Sequence, residues 1–300
     1  VVRIRQYLDT IEAGELKPTA EPVIARETAA ITMVDARHGF GQIAARFAME
    51  KTIGKAQVQG LAATGLFNCN HIGRLGEWVQ LAADQGMIGL AFCNGGRPGG
   101  LVTPYGGSGR ALGTNPIAAA VPIADRPPVV IDFSTSVVAE GKVRVARNKG
   151  QAVPAGWIQD AKGRPSTNPE DLYAGGVLLP MAGHKGYGLS LLVELLGGML
   201  TGQSCPGLPT YTVLKNGVLF IVLTIEPFRS PEDFLGDSSA LCELLKSVTP
   251  TPGFDEVLLP GEPEHHTAQR RQTEGIPIDE TTWAQLTSAA AEFGVAIPNR

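Results

Sequence analysis

Apolar positions along the chain change their spacing repeatedly, and each change marks an element. Ile4, Tyr7, Leu8 and Ile11 recur at helical spacing, with Gly14 following as a stop. Residues 17–22 are held extended by their prolines, and the β-branched pairs at 23–24 and 31–34 predict strands. Residues 42–59 predict a helix with Ile43, Phe47 and Ile53 on one face and Gly60 beyond it. The rhythm then becomes strand (61–67), polar loop (68–73), helix (74–85, closed by Gly86) and strand (87–93), an alternation that predicts an α/β layer. Residues 94–109 form a Gly/Pro-rich loop too long to be a mere connector. After Gly113-Thr114-Asn115-Pro116 and an apolar bridge comes Val129–Phe133, apolar on nearly every residue. That pattern predicts a strand buried on both faces and ending in Ser134-Thr135-Ser136. A helix is expected over 137–148, a polar irregular stretch over 154–172, and a buried helix over 189–201, where the apolar residues run nearly all round. Asn216-Gly217 reads as a turn before a strand at 218–225, and two further helices fall at 230–247 and 279–293 with Pro260-Gly261-Glu262 between them.

Composition narrows the class. The 300 residues are 43% hydrophobic and 18% charged with a formal net charge of −4, the profile of a soluble globular chain. The negative balance and the lack of any basic run argue against a nucleic-acid or anionic-membrane partner. Cys69, Cys93, Cys205 and Cys242 stand far apart with no C-x-x-C pair, which points to a reducing, cytoplasmic setting rather than a disulfide framework or zinc site. The most apolar run, 189–200, is too short to span a bilayer and contains Glu194. No signal peptide is expected from the first residues, although the chain opens on Val1 in mid-pattern.

Candidate chemistry concentrates in a few loops. No G-x-G-x-x-G lies between a strand and a helix and no P-loop is present, so an ordinary Rossmann reading is unsupported. His71, beside Asn68, Asn70 and Gly73 at a strand's carboxyl end, is placed either for a ligand or proton or for satisfying loop carbonyls. His184-Lys185 lies among glycines at the start of a helix. A lysine there opposes the helix dipole unless an anion is near, so the pair reads as an anion site. The hydroxyls of Ser134–Ser136 serve equally as a ligand site or as a helix cap. Glu262 could accept from ribose hydroxyls or complement a helix start. Arg3 and Tyr7 share a helical face from which Arg3 could grip a carboxylate. The five histidines form no metal-binding pattern, His265-His266 diverge on a helix, and no nucleophile elbow is present.

Taken in order, Asn70-His71-Ile72-Gly73, Gly86-Met87-Ile88-Gly89, Pro104-Tyr105-Gly106-Gly107, Leu112-Gly113-Thr114-Asn115-Pro116, Asp132-Phe133-Ser134-Thr135-Ser136, Gly141-Lys142, Gly183-His184-Lys185-Gly186-Tyr187-Gly188 and Pro260-Gly261-Glu262 resemble the malate/L-lactate dehydrogenase family of the non-Rossmann kind. That family also holds ureidoglycolate, sulfolactate and diketogulonate dehydrogenases and cyclic-imine carboxylate reductases. The resemblance implies an α/β, mixed-sheet, non-Rossmann NAD(P)-binding fold with a helical dimerisation and substrate region built from the chain ends. It divides the chain into a substrate and dimerisation part at 1–60, a cofactor domain at 61–264 and returning C-terminal helices at 265–300. The implied activity is hydride transfer between NAD or NADP and a small 2-oxo or 2-hydroxy acid, in a homodimer. Cyclic-imine reduction is the alternative, and a cofactor-binding chain without activity is a rival of another class. By family position, Gly73, Arg74, Leu75, Asp132, Phe133, Ser134, Thr135, Ser136, His184, Lys185, Asn216, Gly261, Glu262, Pro263 and Glu264 contact the cofactor, Arg3 clamps the substrate carboxylate, and His71 joins it as the second catalytic candidate.

Two departures stand out. The family's proton-donor histidine occupies a Ser-His-Gly motif, followed two residues later by an arginine and four further on by a tyrosine. Val1-Val2-Arg3 and Tyr7 match the positions just after that motif, so the donor is expected immediately ahead of Val1 and this chain alone is expected to be nearly inactive. Thr224-Ile225-Glu226-Pro227 stands where the family has Ile-Asp-Pro at shorter spacing.

Overall fold

In the computed structural model, residues 3–297 are described. Val1 and Val2 of the Arg3 motif and residues 298–300 of the expected C-terminal part lie outside them. Helix α1 (Ile4–Glu12) leads to strands β1 (Val23–Glu27) and β2 (Ile31–Asp35), helix α2 (Gly41–Gln59), β3 (Leu61–Cys69), α3 (Leu75–Ala83), β4 (Ile88–Gly96), β5 (Pro116–Val121) and β6 (Val129–Ser134). A smaller unit comes next: α4 (Glu140–Asn148), β7 (Ile158–Gln159), β8 (Pro165–Ser166), α5 (Pro169–Tyr173) and β9 (Val177–Leu178). Helix α6 (His184–Val193) runs into a π-helical segment, Glu194–Met199. Strand β10 (Lys215–Leu223) and helices α7 (Pro231–Lys246), α8 (Glu262–Glu274) and α9 (Glu280–Glu292) complete the described chain.

Seven strands form one mixed sheet in the order β1-β2-β3-β10-β4-β5-β6. Among the described residues of this sheet, only β2 and β3 pair in parallel; β10 lies between β3 and β4, antiparallel to both. A doubly wound parallel sheet has no such central antiparallel strand, which accounts for the missing glycine fingerprint. Helices α2 and α3 cover one face. Ala44, Ala45, Ala48, Met49, Ile53 and Ala56 of α2 and Trp78, Val79 and Ala82 of α3 are buried with Leu66, Ala91, Cys93, Val218 and Phe220 in the main core. Small side chains let α2 lie close to the sheet, and Gly60 ends it at φ 80°, its N–H on the Ala56 carbonyl. Since strand side chains alternate, Phe92 and Asn94 point to the other face, where the π-helical segment crosses. A Cβ on Gly197 would stand 2.9–3.0 Å from the backbone of Asn94, Gly217 and Phe92, so only glycine permits that approach.

Several expectations need correction. Strand β6 is an edge strand with Ile131 and Phe133 each 37% exposed; its apolar run is not buried on both faces within one chain. The helix over 189–201 is likewise not buried all round: Leu191, Leu192, Leu195, Met199 and Leu200 are exposed. Asn216-Gly217 is no turn but lies within central strand β10. The apolar bridge contains strand β5, and strand β4 continues through Gly96 into the expected loop. Residues 154–172 are only partly irregular: the two-residue strands β7 and β8 and most of α5 lie within them, and together with β9 they border a second core of Val143, Val153, Ile158, Leu172 and Leu178. Helix α8 opens at Glu262, so Pro260-Gly261-Glu262 is the helix start that was one of its two readings, and the returning helices begin three residues before the expected 265. Among the described residues, no helix is long and apolar enough to cross a membrane.

Candidate active site

The loop after β3 is held from below. Asn216 Oδ1 accepts from the Ile72 N–H at 3.3 Å and its Nδ2 donates to the Asn94 carbonyl at 2.9 Å. One side chain on the central strand thus ties the carboxyl ends of both neighbouring strands. Beside it, Tyr7 of α1 and His71 meet, with Oη and Nδ1 3.0 Å apart. Gln42 Nε2 donates to Tyr7 Oη at 2.8 Å, and the Gly73 N–H donates to His71 Nδ1 at 3.3 Å. A backbone N–H can only donate, so Nδ1 is an acceptor, Tyr7 donates to it, and the imidazole proton resides on Nε2. Burial, and then the Arg3 guanidinium, push the His71 pKa down to about 4, which keeps the ring neutral.

His71 and Arg3 line one cavity of about 210 Å3, with Gln6, Gly73, Leu75, Arg97, Arg110, Thr114, Glu140, Arg144 and Tyr173 also contributing to its wall. Glu140 receives two N–H groups of Arg144 at 2.9–3.1 Å and the Tyr173 hydroxyl at 3.0 Å. Burial, with Glu140 alongside, pushes the Tyr173 pKa up to about 12, so that hydroxyl stays protonated and donates. Arg3 bonds the neutral Gln6 side chain at 2.8 Å. Burial lowers its pKa, with Arg144 and Arg97 adding to the effect and Glu140 opposing it.

A second group of residues runs along edge strand β6. Asp132 Oδ2 accepts from the Gly76 N–H at 2.8 Å and lies 3.7 Å from Arg74 Nε, at the amino end of α3. Burial raises the Asp132 pKa, and Glu264, near enough to interact, adds to that. The Val130 N–H bonds the Pro260 carbonyl at 3.0 Å, and Gly261 (φ 97°) packs on Val130. At the other end, the Met181 N–H bonds the Thr135 carbonyl at 2.9 Å and leads into His184-Lys185 at the first turn of α6. Gly73–Leu75, Asp132–Ser136, His184-Lys185 and Gly261–Glu264 are therefore one continuous strip, and Gly73 and Leu75 belong to the cavity as well. Residues 1–287 match the protein family described as malate/L-lactate dehydrogenase.

The chain belongs to that family. It is 37% identical over 305 residues to a malate dehydrogenase of Pyrococcus abyssi, covering 98% of this chain and 83% of that protein. It is 33% identical over 295 residues to a ureidoglycolate dehydrogenase (NAD(+)) of Escherichia coli K12, covering 96% and 83%. Its fold superposes on malate dehydrogenase from Pyrococcus horikoshii with a TM-score of 0.87 at 34% identity, covering 99% of this chain and 83% of that one. The chain is a dehydrogenase of small 2-hydroxy acids that works with a nicotinamide cofactor.

Of the residues expected at the dehydrogenase's cofactor site, Asn216 stands off the β6 strip and several on it have their polar groups already engaged. Asn216 lies on the cavity floor with its amide spent on Ile72 and Asn94. Glu262 is committed to Lys246 Nζ and the Leu259 N–H, each at 2.8 Å, which leaves it closer to a helix-start residue than to a free acceptor. Ser134 Oγ and Ser136 Oγ turn back on the carbonyls of Ser136 and Val138, and the Phe133 ring faces outward. Pro263 sits in the first turn of α8. Gln6, Gln42, Arg97, Arg110, Glu140, Arg144 and Tyr173 were not among the expected site residues. For Gln6 a signal existed, since it shares the first turns of α1 with Arg3; Arg97 and Arg110 come from a loop, and Glu140 and Arg144 from α4, whose convergence no local pattern records.

Proposed function

We propose that this dehydrogenase reduces a small 2-oxo acid, with NADH or NADPH lying along the β6 strip and the substrate in the Arg3–His71 cavity. The observation carrying this reading is that the strip and the cavity share Gly73 and Leu75. The residues of the strip fit a dinucleotide by their chemistry. Asp132 is a partly buried carboxylate suited to ribose hydroxyls, and Lys185 at the amino end of α6 adds positive charge suited to a pyrophosphate. Bound there, the nicotinamide supplies the hydride. Arg3 holds the substrate carboxylate; burial lowers its pKa but leaves the guanidinium charged. His71, neutral with its proton on Nε2, offers that N–H to the substrate oxygen, while Tyr7 and Gln42 fix the ring. The test tracks consumption of NADH and NADPH with a panel of 2-oxo acids, for the chain alone and with Ser-His-Gly joined ahead of Val1. Slow turnover alone and faster turnover with the added motif are expected. No turnover in either form, together with no cofactor binding, would refute the reading.

The homodimer belongs to the same proposal. Leu191, Leu192, Leu195, Met199 and Leu200 give α6 and its π-helical extension an outward apolar face, and a second copy of the chain is the occupant proposed for it.

A further inference from the structure

We propose that Arg97 and Arg110 form a second anion subsite in the substrate cavity, so that the preferred substrate is a dianionic 2-oxo acid bearing a carboxylate or sulfonate at its far end. This rests on the 2-oxo acid reading above and deepens it. Arg97 comes directly after Gly95-Gly96 at the end of β4, where φ values of 148° and 157° carry the chain past the Asn216 side chain, and it lines the cavity. Arg110 reaches the same cavity from the far end of the glycine-rich loop. Its Nε bonds the Gly176 carbonyl at 2.8 Å and its Nη2 the Leu172 carbonyl at 2.5 Å, which commits two of its five N–H donors and fixes the guanidinium plane.

Charge decides what such a cavity takes. Arg97 is near enough to both Arg3 and Arg110 to lower the pKa of each. Among the described residues, none of these three arginines has a carboxylate within 4.0 Å. The carboxylate in the cavity wall, Glu140, is committed to Arg144 and Tyr173. A substrate with one carboxylate satisfies Arg3 and leaves two like charges facing each other across the space beyond it. A second anionic group at the far end removes that repulsion and meets donors already fixed in place.

The test titrates the chain calorimetrically with L-malate, 3-sulfolactate, L-lactate and NADH, before and after Arg97→Gln. The expected result is that malate or sulfolactate binds about tenfold or more tightly than lactate, and which of the two does so identifies the far group. Arg97→Gln should bring the pair within about twofold of lactate, leave lactate and NADH affinities within about twofold, and leave the melting temperature unchanged. Equal binding of malate, sulfolactate and lactate by the parent chain would overturn the subsite while leaving the 2-oxo acid reading intact. A loss of NADH affinity with the malate-to-lactate ratio preserved would overturn it by assigning Arg97 to the cofactor's phosphates. Failure of all three hydroxy acids to bind would overturn both readings.

Discussion

His71 is held by donors on one nitrogen and left open on the other. Gln42 donates to Tyr7, Tyr7 to Nδ1, and the Gly73 N–H to the same atom, so the ring's orientation and tautomer are set before any ligand arrives. The same burial has a thermodynamic consequence. With a folded pKa of about 4 against about 6.5 for an ordinary histidine, the unfolded chain binds the extra proton first as pH falls. This group's penalty is absent above pH about 6.5, grows as pH falls through the interval, and reaches its full size near pH 4, at about 3 kcal/mol. His71→Gln should therefore flatten the acid side of the stability curve between those values, as measured by urea unfolding at a series of pH values. An unchanged slope would mean that His71 is not the titrating group. Arg3 and His71 were legible as single residues because motif order placed them. Their meeting in one cavity was not, since it depends on α1 docking beside a loop more than sixty residues away along the chain.

At the scale of elements, long periodic segments were read from sequence with small errors at their ends, as with α1, α2, α7 and α9. The misreadings share a cause. Strands β7, β8 and β9 are two residues long, too short for an alternating pattern to register. Strand β5, at 116–121, is apolar without alternation, and helix α8 is polar on most positions with no buried residue. Helix α6 shows the opposite case, where an apolar sequence implied burial that a single chain does not supply. Its first turn carries Lys185, exposed and facing the helix dipole unfavourably. Lys185→Ala should raise the dissociation constant for NADH or NADPH by roughly fivefold or more, while moving the melting temperature by less than about 2 °C. An unchanged cofactor affinity by fluorescence titration would remove the anion-site reading of the His184-Lys185 pair.

For the whole molecule, the apolar face of α6 and its π-helical extension and the exposed edge strand β6 are the places where the composition of the chain and its surface disagree. A stable homodimer requires on the order of 800 Å2 of buried surface from each partner. Replacing Leu195 and Leu200 by glutamate should shift the sedimenting species from two chains to one while near-native circular dichroism is retained. A parent chain that sediments as a monomer would contradict the dimer.

The position of β10 also governs the order in which this site can come into being. Residues 61–96 supply both β3 and β4, yet the strand that belongs between them is not synthesised until residues 215–223. As the chain leaves the ribosome, β3 and β4 either pair wrongly with each other or wait with open edges across a gap one strand wide. Asn216 arrives with that last strand, and only then are the His71 loop and the Arg97 loop tied to a common floor. Ligand-binding competence is therefore a late event in the life of each molecule, and a nascent chain halted before residue 215 carries Arg3, His71, Arg97 and Arg110 without the strand that brings them to one place.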